Sequence, residues 1–447
     1  MRLTKNMLLI PMKDKQQQYA LIHTVLIAFY IVTKEEAKII KRWKTGDMIC
    51  TESEEYGNLY ETMKENGFLV EDEKEDETLM DQQKEICKRY HEKTCECTDK
   101  VTLVLTYKCN YTCPYCYENA SLYKDNAVMT KEMVDRIFEI HNDSINYIAF
   151  YGGEPLLPDT RETIEYVFSK APDAAYSAVT NGYYLEEYVR LFEKFKMNGI
   201  MVTLDGKEER HNMTRRLLDG GGTYQKVMKG IQMCLRQGVS IKIRMNISRN
   251  NVEECMELRN ELIDSFSEAF SKKLLRFELQ PLFQLPLNEK SELNKIILFS
   301  EESKGEKACQ YNAIANTVSP VLKSFIRRGG ASTPRYSYCD AEGGRRFYDA
   351  HGNVYSCILS LNRKQASVGT YYPTYHLKEN SILNRSIETI PKCSRCRLKL
   401  LCGGGCANAI IDEKGDVMKP NCTQICHELF KDLPELFQEY NREKKYG

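Results

Sequence analysis

From about residue 100 onward, short apolar segments recur at intervals that leave room for one helix between neighbours, and few folds accommodate that rhythm. The segments are 101-VTLVLT-106, 147-YIAFY-151, 176-YSAVT-180, 200-IMVTL-204, 241-IKIRM-245 and 275-LRFEL-279. The gaps carry helical patterns. The stretch 130-TKEMVDRIFEIH-141 opens on Thr130 and Glu132, and 223-TYQKVMKGIQMCLRQG-238 ends on glycine. Strands alternating with helices imply parallel βα units, because a parallel pair needs a long crossover. Six units predict an α/β fold containing a partial (β/α)6 TIM-type barrel, whose chemistry belongs at the C-terminal ends of its strands.

Two further regions flank this one, giving an expected division into residues 1–97, 98–315 and 316–447. In the first, strands are expected at 7-MLLIPM-12 and 19-YALIHTVLIAFYIV-32, and helices at 34-KEEAKIIKRW-43 and 58-NLYETMKENG-67, the last running into 68-FLV-70. That order suggests a small winged-helix-like unit. The acidic run 71-EDEKEDETLMDQQKE-85 reads as a solvated linker or helix face. Lysine plus arginine and aspartate plus glutamate each number 63, which removes any electrostatic case for nucleic acid as the main partner. The start, MRLTKNMLLIPMKDKQQQ, has too short an apolar run for an export signal, and 25-VLIAFYIV-32 is far too short to span a bilayer. The expectation is a cytoplasmic protein with no membrane partner.

Cysteine usage is the outlier. Eighteen cysteines in such a chain are not a disulfide framework, because cytosolic thiols are kept reduced. Cys50, Cys87, Cys95, Cys97, Cys234, Cys255 and Cys309 are scattered and read as small buried apolar residues. The other eleven form two dense groups, for which metal is the better account. The first group lies in 107-YKCNYTCPYCYEN-119, where Cys109, Cys113 and Cys116 make C-x3-C-x2-C just past the first barrel strand. Structural zinc closes its tetrahedron with four protein ligands, and a 4Fe–4S cluster normally takes four thiolates. Three thiolates leave one iron open to a small molecule. Zinc with a distant fourth ligand is the competing account.

These residues resemble the signature of the radical S-adenosylmethionine enzymes, with Tyr115 as the aromatic before the last cysteine. The resemblance implies a 4Fe–4S cluster on Cys109, Cys113 and Cys116, its open iron chelated by S-adenosyl-L-methionine. It further implies reductive cleavage to a 5′-deoxyadenosyl radical that abstracts hydrogen from substrate. Other segments match in register. After the second strand, 151-YGGEP-155 resembles the family's Gly-Gly-Glu-Pro motif, which assigns Gly152, Gly153 and Glu154 to the methionine amino group. Asn181 in 179-VTNG-182 would meet the nucleoside, and Asp205 in 203-TLDG-206 the nucleoside or substrate. Arg244 and Asn246 in 243-IRMNIS-248 would meet the carboxylate or ribose. Helix caps and satisfied strand-end groups remain the alternative for these last four.

The second group reads 339-CDAEGGRRFYDAHGNVYSC-357, 393-CSRCRLKLLCGGGC-406 and 422-CTQIC-426. It resembles the SPASM extension of radical enzymes that modify peptides and proteins, with Gly352 in the glycine position. The resemblance implies two auxiliary 4Fe–4S clusters, three clusters in all. One would take Cys339, Cys357, Cys406 and Cys426, and the other Cys393, Cys396, Cys402 and Cys422. A pair of zinc ribbons is the alternative. The N-terminal unit is similar to the winged-helix domain that binds leader peptides in maturases of ribosomally made peptides, through strand addition at a sheet edge. The implied partners are a precursor peptide and an electron donor such as flavodoxin or ferredoxin. The implied activity is hydrogen abstraction followed by a thioether or carbon–carbon crosslink. Sulfatase-maturating enzymes share the extension but resemble a pattern with aspartate where this chain has Ile358. A sulfatase-type protein maturase is therefore the alternative of the same class, and a zinc or electron-transfer protein that of another.

Overall fold

The run Tyr19–Val32, expected as one strand, is a hairpin. β1 (Arg2–Leu3) leads into β2 (Met7–Pro11), β3 (Tyr19–His23) and β4 (Ala28–Val32), and the last three form an antiparallel sheet in that order. The turn between β3 and β4 uses neither glycine nor proline. His23 Nδ1 accepts from the amides of Val25 (3.3 Å) and Leu26 (3.1 Å), and Ile27 takes a φ of 55°. The reversal signal was thus a histidine acceptor inside an apolar run. Thr33 and Glu36 form a capping box at the start of α1 (Lys34–Thr45), and Gly46 closes it at a φ of 110°. Next come α2 (Glu54–Glu65) and β5 (Leu69–Val70), which pairs with β1. Leu21, Ile40, Trp43, Met63 and Phe68 are in their shared core.

The acidic run is no linker. It begins α3 (Glu73–Glu96), whose first turn gathers Glu73, Glu75 and Asp76 at the positive end of the helix dipole. Asp76 is wholly buried; it accepts from Thr4 Oγ1, from the Lys5 amide (2.9 Å) and from Asn6 Nδ2 (3.2 Å). Charge density alone hid a carboxylate that ties the helix to the chain's start.

The computed structural model describes residues 1–13, 17–46, 54–96, 99–118, 125–302, 334–379, 381–411 and 416–435. Both expected domain boundaries and Cys50, Cys97 and Cys309 lie outside the described residues. The chain divides into two units, and they are not three consecutive segments. One unit joins Met1–Glu96 to Thr317–Gly343 and Asn384–Gly447; the other joins Cys97–Asn316 to Gly344–Leu383.

In the second unit every segment expected as a strand is one. β6 (Lys100–Thr106), α4 (Lys131–Ile140), β7 (Tyr147–Gly152), α5 (Arg161–Lys170), β8 (Ala175–Thr180), α6 (Leu185–Phe192) and β9 (Met197–Thr203) alternate. After α7 (Glu208–Thr214) and α8 (Tyr224–Arg236) come β10 (Ile241–Ile247), α9 (Val252–Ser265), α10 (Ser267–Ser271), β11 (Leu275–Pro281) and α11 (Leu287–Glu302). The six strands β6 to β11 lie parallel and in sequence order. One face is sealed: Ile148, Phe150, Tyr176, Ile200, Val202, Ile241 and Ile243 are fully buried. Tyr151, Ser177, Met201, Lys242, Arg244 and Glu278 alternate with them and are half-buried. A parallel sheet is ordinarily covered on both faces, so the half-open face marks where something else belongs.

The expected C-terminal module contributes to this sheet. β12 (Phe347–Asp349) pairs parallel with β6, and β13 (Asn353–Tyr355), β14 (Gly369–Thr370) and β15 (His376–Leu377) extend the sheet antiparallel. The free edge of β6 pairs with β12, and Gly344–Leu383 groups with this unit. The first unit keeps the remainder, with two short helices, α12 (Lys399–Cys402) and α13 (Thr423–His427). There Val25 and Cys87 pack in one core with Ile387, Ile390, Cys393 and Leu400. Among the described residues no helix is long and apolar enough to cross a membrane.

Candidate functional site

At the C-terminal end of β6 the chain turns into the cysteine loop, and the next strand fixes its shape. Gly153 donates its amide to Thr106 O (2.9 Å) and Glu154 donates to Lys108 O (2.9 Å). A Cβ on Gly152 would come within 2.2 Å of Thr106 O, and one on Gly153 within 2.3 Å of Tyr107 O. Gly152 also has a φ of 147°. Both positions therefore require glycine, because the β7 end presses on the backbone that leads into the cysteines.

Glu154 is fully buried and does not present a bare carboxylate. Thr180 Oγ1 (2.6 Å) and the Leu156 amide (2.8 Å) donate to one oxygen, and the Asn181 amide (2.6 Å) to the other. Burial lifts this carboxyl to about 7 against the pull of those three donors. Its evident work is to lock the end of β8 to the end of β7. Asn181, so held, donates from Nδ2 to Asn110 Oδ1 (2.7 Å) and lies 3.9 Å from Cys109 Sγ.

A second network meets the loop from the other side. Tyr115 donates its hydroxyl to Asp205 and accepts from Arg215 (2.7 Å). Asp205 also accepts from the amide and the side chain of Asn246, each at 3.3 Å. Burial pushes the Asp205 carboxyl up; Arg215, whose guanidinium lies 4.0 Å away and 5.6 Å from the centre of the Tyr111 ring, draws it down. Tyr115, Asn181, Asp205 and Asn246 thus form a hydrogen-bonded surround to the cysteine loop. Arg244 lies on the half-open face two residues before Asn246, 3.9 Å from Glu278 and with its Nε without a hydrogen-bond partner.

Two residues that sequence reading missed complete this site. Arg215 is a buried cation beside the thiols, and its Nε has no partner. Asn110, between the first two cysteines, leaves its own Nδ2 without a partner. Neither carries a sequence signal, since a buried arginine looks like any other in 211-HNMTRRL-217. Two orphaned donors beside a cysteine loop fit a ligand that brings acceptors of its own, as the carboxylate of S-adenosylmethionine would.

The donor set suits a cluster better than an ion. Burial pushes the Cys109, Cys113 and Cys116 thiols up, the last to about 12, so three thiolates here call for a cationic partner. Among the described residues no three His, Cys, Asp or Glu side chains converge on a single metal ion. A cluster needs no such convergence, since each thiolate takes a separate iron.

In the first unit Cys393, Cys396, Cys402, Cys406, Cys422 and Cys426 sit on or beside short, irregular elements and in no disulfide. Cys393 feels the charges of Cys396 and Cys422, and Cys402 those of Cys422, Cys393 and Cys396. Cys426 is influenced by Cys422 and Cys396, and Tyr338 by both Cys406 and Cys339. Cys357 belongs to the other unit, where Ser360 donates to its carbonyl (2.7 Å).

Comparison with known proteins agrees with this arrangement. Residues 103–262 match the family model described as Radical SAM superfamily. The chain is 24% identical over 450 residues to the radical SAM cyclopropyl synthase TigE of Paramaledivibacter caminithermalis, covering 91% of this chain and 90% of that protein. It is 27% identical over 186 residues to a probable GTP 3′,8-cyclase of Archaeoglobus fulgidus, covering 40% of this chain and 60% of the relative. In fold it resembles native anSMEcpe with bound AdoMet and Kp18Cys peptide, at a TM-score of 0.53 and 18% identity over 77% of this chain and 99% of that one. It also resembles Streptococcus suis SuiB bound to precursor peptide SuiA, at 0.52 and 14% over 94% and 98%.

Proposed function

We propose that this enzyme, which belongs to the radical SAM superfamily through residues 103–262, matures a ribosomally made precursor peptide in the cytoplasm. The carrying observation is the orphaned pair Arg215 Nε and Asn110 Nδ2 beside Cys109, Cys113 and Cys116. It supports a ligand site at the strand ends, and in this reading the half-open sheet face next to it would take the substrate. In this reading β6 to β11 form a partial barrel around that face. The three cysteines would hold the cluster, which supplies, when S-adenosylmethionine is bound, the electron for its reductive cleavage and so for hydrogen abstraction. Arg215 and Asn110 would receive the cofactor's carboxylate, and Glu154 would keep Asn181 in place. Tyr115 and Asp205 would hold Arg215 in its orientation.

The peptide substrate is supported by the near full-length match to a cyclopropyl synthase and by the fold shared with enzymes solved with peptides bound. The product would be a crosslinked peptide, joined by a thioether or a carbon–carbon bond. Cys393, Cys396, Cys402 and Cys422 would hold one auxiliary 4Fe–4S cluster, and Cys339, Cys357, Cys406 and Cys426 the other. A flavodoxin or ferredoxin would supply electrons. The N-terminal unit would receive the leader. Anaerobic protein should contain about eleven to twelve irons with matching sulfide, the content of three clusters. Stoichiometric zinc without sulfide would overturn the reading.

A further inference from the structure

Arg385 has no part in the reading so far, yet it is among the largest fully buried side chains in the protein. A guanidinium has five N–H groups, and here all five are engaged. Nε donates to Val417 O (2.9 Å). One terminal nitrogen donates to Gly405 O (2.6 Å) and to the Glu342 carboxylate, and the other to Gly404 O (2.7 Å) and Lys419 O (3.1 Å). The fork ties the glycine loop between Cys402 and Cys406 to the segment that leads into Cys422. That loop needs the tie. Gly403, Gly404 and Gly405 all have positive φ, and a Cβ on Gly405 would lie 1.9 Å from Asn421 O.

Carbonyl groups alone do not require a cation. A buried ion pair is weak support for stability, since its desolvation cost offsets most of its attraction. The charge itself lies next to the cysteines: Arg385 donates to the carbonyls of Gly404 and Gly405, the latter next to Cys406, and Glu342 accepts from the amide of Tyr338, next to Cys339. Glu342 and Arg385 form a fully buried ion pair, so the two opposite charges sit together beside the loop. A cluster with four thiolates is anionic and gains charge on reduction, and its potential follows net charge and hydrogen bonding nearby.

We propose that Arg385 is a positioning residue that holds the Cys402–Cys406 loop in ligating shape, and that its buried charge, opposed by Glu342, sets the reduction potential of the auxiliary cluster beside it. The inference rests on the auxiliary-cluster reading above. The step it governs moves one electron from a reductant such as dithionite to the cluster, with no bond made or broken.

The test is an anaerobic redox titration with dithionite, read by electron paramagnetic resonance, on the full chain with Cys109, Cys113 and Cys116 replaced by alanine. Iron and sulfide are counted in each sample. Arg385→Met should lower the midpoint potential of one auxiliary signal by the equivalent of tenfold or more in its redox ratio, about 59 mV for one electron. Arg385→Lys, which keeps the charge and loses the fork, should shift it less. Glu342→Gln should raise it. Opposite signs are what a purely structural role does not produce. Unchanged potentials, or shifts of one sign in Arg385→Met and Glu342→Gln, overturn the proposal. Should Arg385→Met fail to hold iron, Glu342→Gln decides alone, and a shift that is absent or downward overturns it. A parent protein with no iron–sulfur signal removes the auxiliary-cluster reading, and this inference with it.

Discussion

Each unit buries one arginine beside a group of cysteines, and the two arginines are used in opposite ways. Arg385 has every N–H engaged by its own chain and is closed. Arg215 sits beside Asp205 and Tyr115 but leaves Nε without a partner, and Asn110 nearby does the same. A buried donor without an acceptor is costly, and chains keep such groups chiefly where a ligand will complete them. The scaffolds differ as well. The Arg215 site hangs from the ends of parallel strands whose other face is sealed, so it can wait preformed for a ligand. The Arg385 region has two helices of four and five residues and a loop of glycines, and its shape depends on the fork.

The contrast is broken most severely by removing ligands. Replacing Cys109, Cys113 and Cys116 by alanine should reduce 5′-deoxyadenosine formation with dithionite to background while C-terminal iron and sulfide persist, because the ligands proposed for the C-terminal clusters are other cysteines. Loss of all iron in that variant would show the two regions to be one cooperative unit. Cys393→Ala or Cys402→Ala should behave differently. Cofactor cleavage should continue without coupling to peptide product, and thermal stability should fall with iron content, since metal ligation in such a region is folding free energy. Normal product yield would leave these cysteines only a structural role.

Smaller effects sharpen the comparison. Arg215→Met removes an open donor, and should weaken S-adenosylmethionine binding by about 1–3 kcal/mol, the range for a hydrogen bond to a charged group. Cluster content should stay the same. Glu154→Gln should cost less in binding, because its carboxylate acts through Thr180 and Asn181 rather than on the ligand directly. The amide can still accept on one side, but presents a donor to either the Asn181 amide or the Thr180 and Leu156 groups. Equal losses from the two variants, measured by calorimetric titration, would mean that Glu154 touches the cofactor itself.

The sequence showed the parallel strands and the cysteine loop because both obey short-range rules, one of alternation and one of ligand spacing. It did not show what depends on distant partners. The glycines of 151-YGGEP-155 were assigned to a cofactor, and the structure gives them a nearer cause in the carbonyls of Thr106 and Tyr107. Asp76 was hidden in a charge run, and its burial is visible only once Thr4 and Asn6 are brought to it. Arg215, Arg385 and Glu342 are ordinary charged residues until folding buries them. The recruitment of residues 344–383 to the β6 edge was out of reach for the same reason, since an open strand edge has no sequence mark.

The smallest expected effect concerns the N-terminal sheet, where the reading of a leader-peptide site can be tested without dismantling the rest. Removing residues 1–97 would strip Val25 and Cys87 from the core they share with Cys393 and Leu400, and would confound peptide binding with loss of the cysteine region. Point changes at the edge avoid this. In the β2–β3 pair the amides of Met12 and Thr24 bond to Gln18 and Asn6, so ladder bonds fall on even-numbered residues of β2. The backbone groups of Met7 and Leu9 therefore face outward, and Pro11 ends that row without a donor. Beside the edge lies a groove of about 210 Å³ lined, among the described residues, by apolar residues with Lys41, Lys44 and Arg397, and by no carboxylate. An extended acidic segment suits such a groove, through strand pairing at Met7 and Leu9 and charge at the rim. Lys44→Glu together with Arg397→Glu should weaken binding of a labelled precursor peptide about tenfold, or about 1.4 kcal/mol, with the loss shrinking as salt is raised. Cofactor cleavage without peptide should be unchanged. An affinity equal to that of the parent protein would move leader binding away from this edge and leave the half-open face of the parallel sheet to hold the peptide alone.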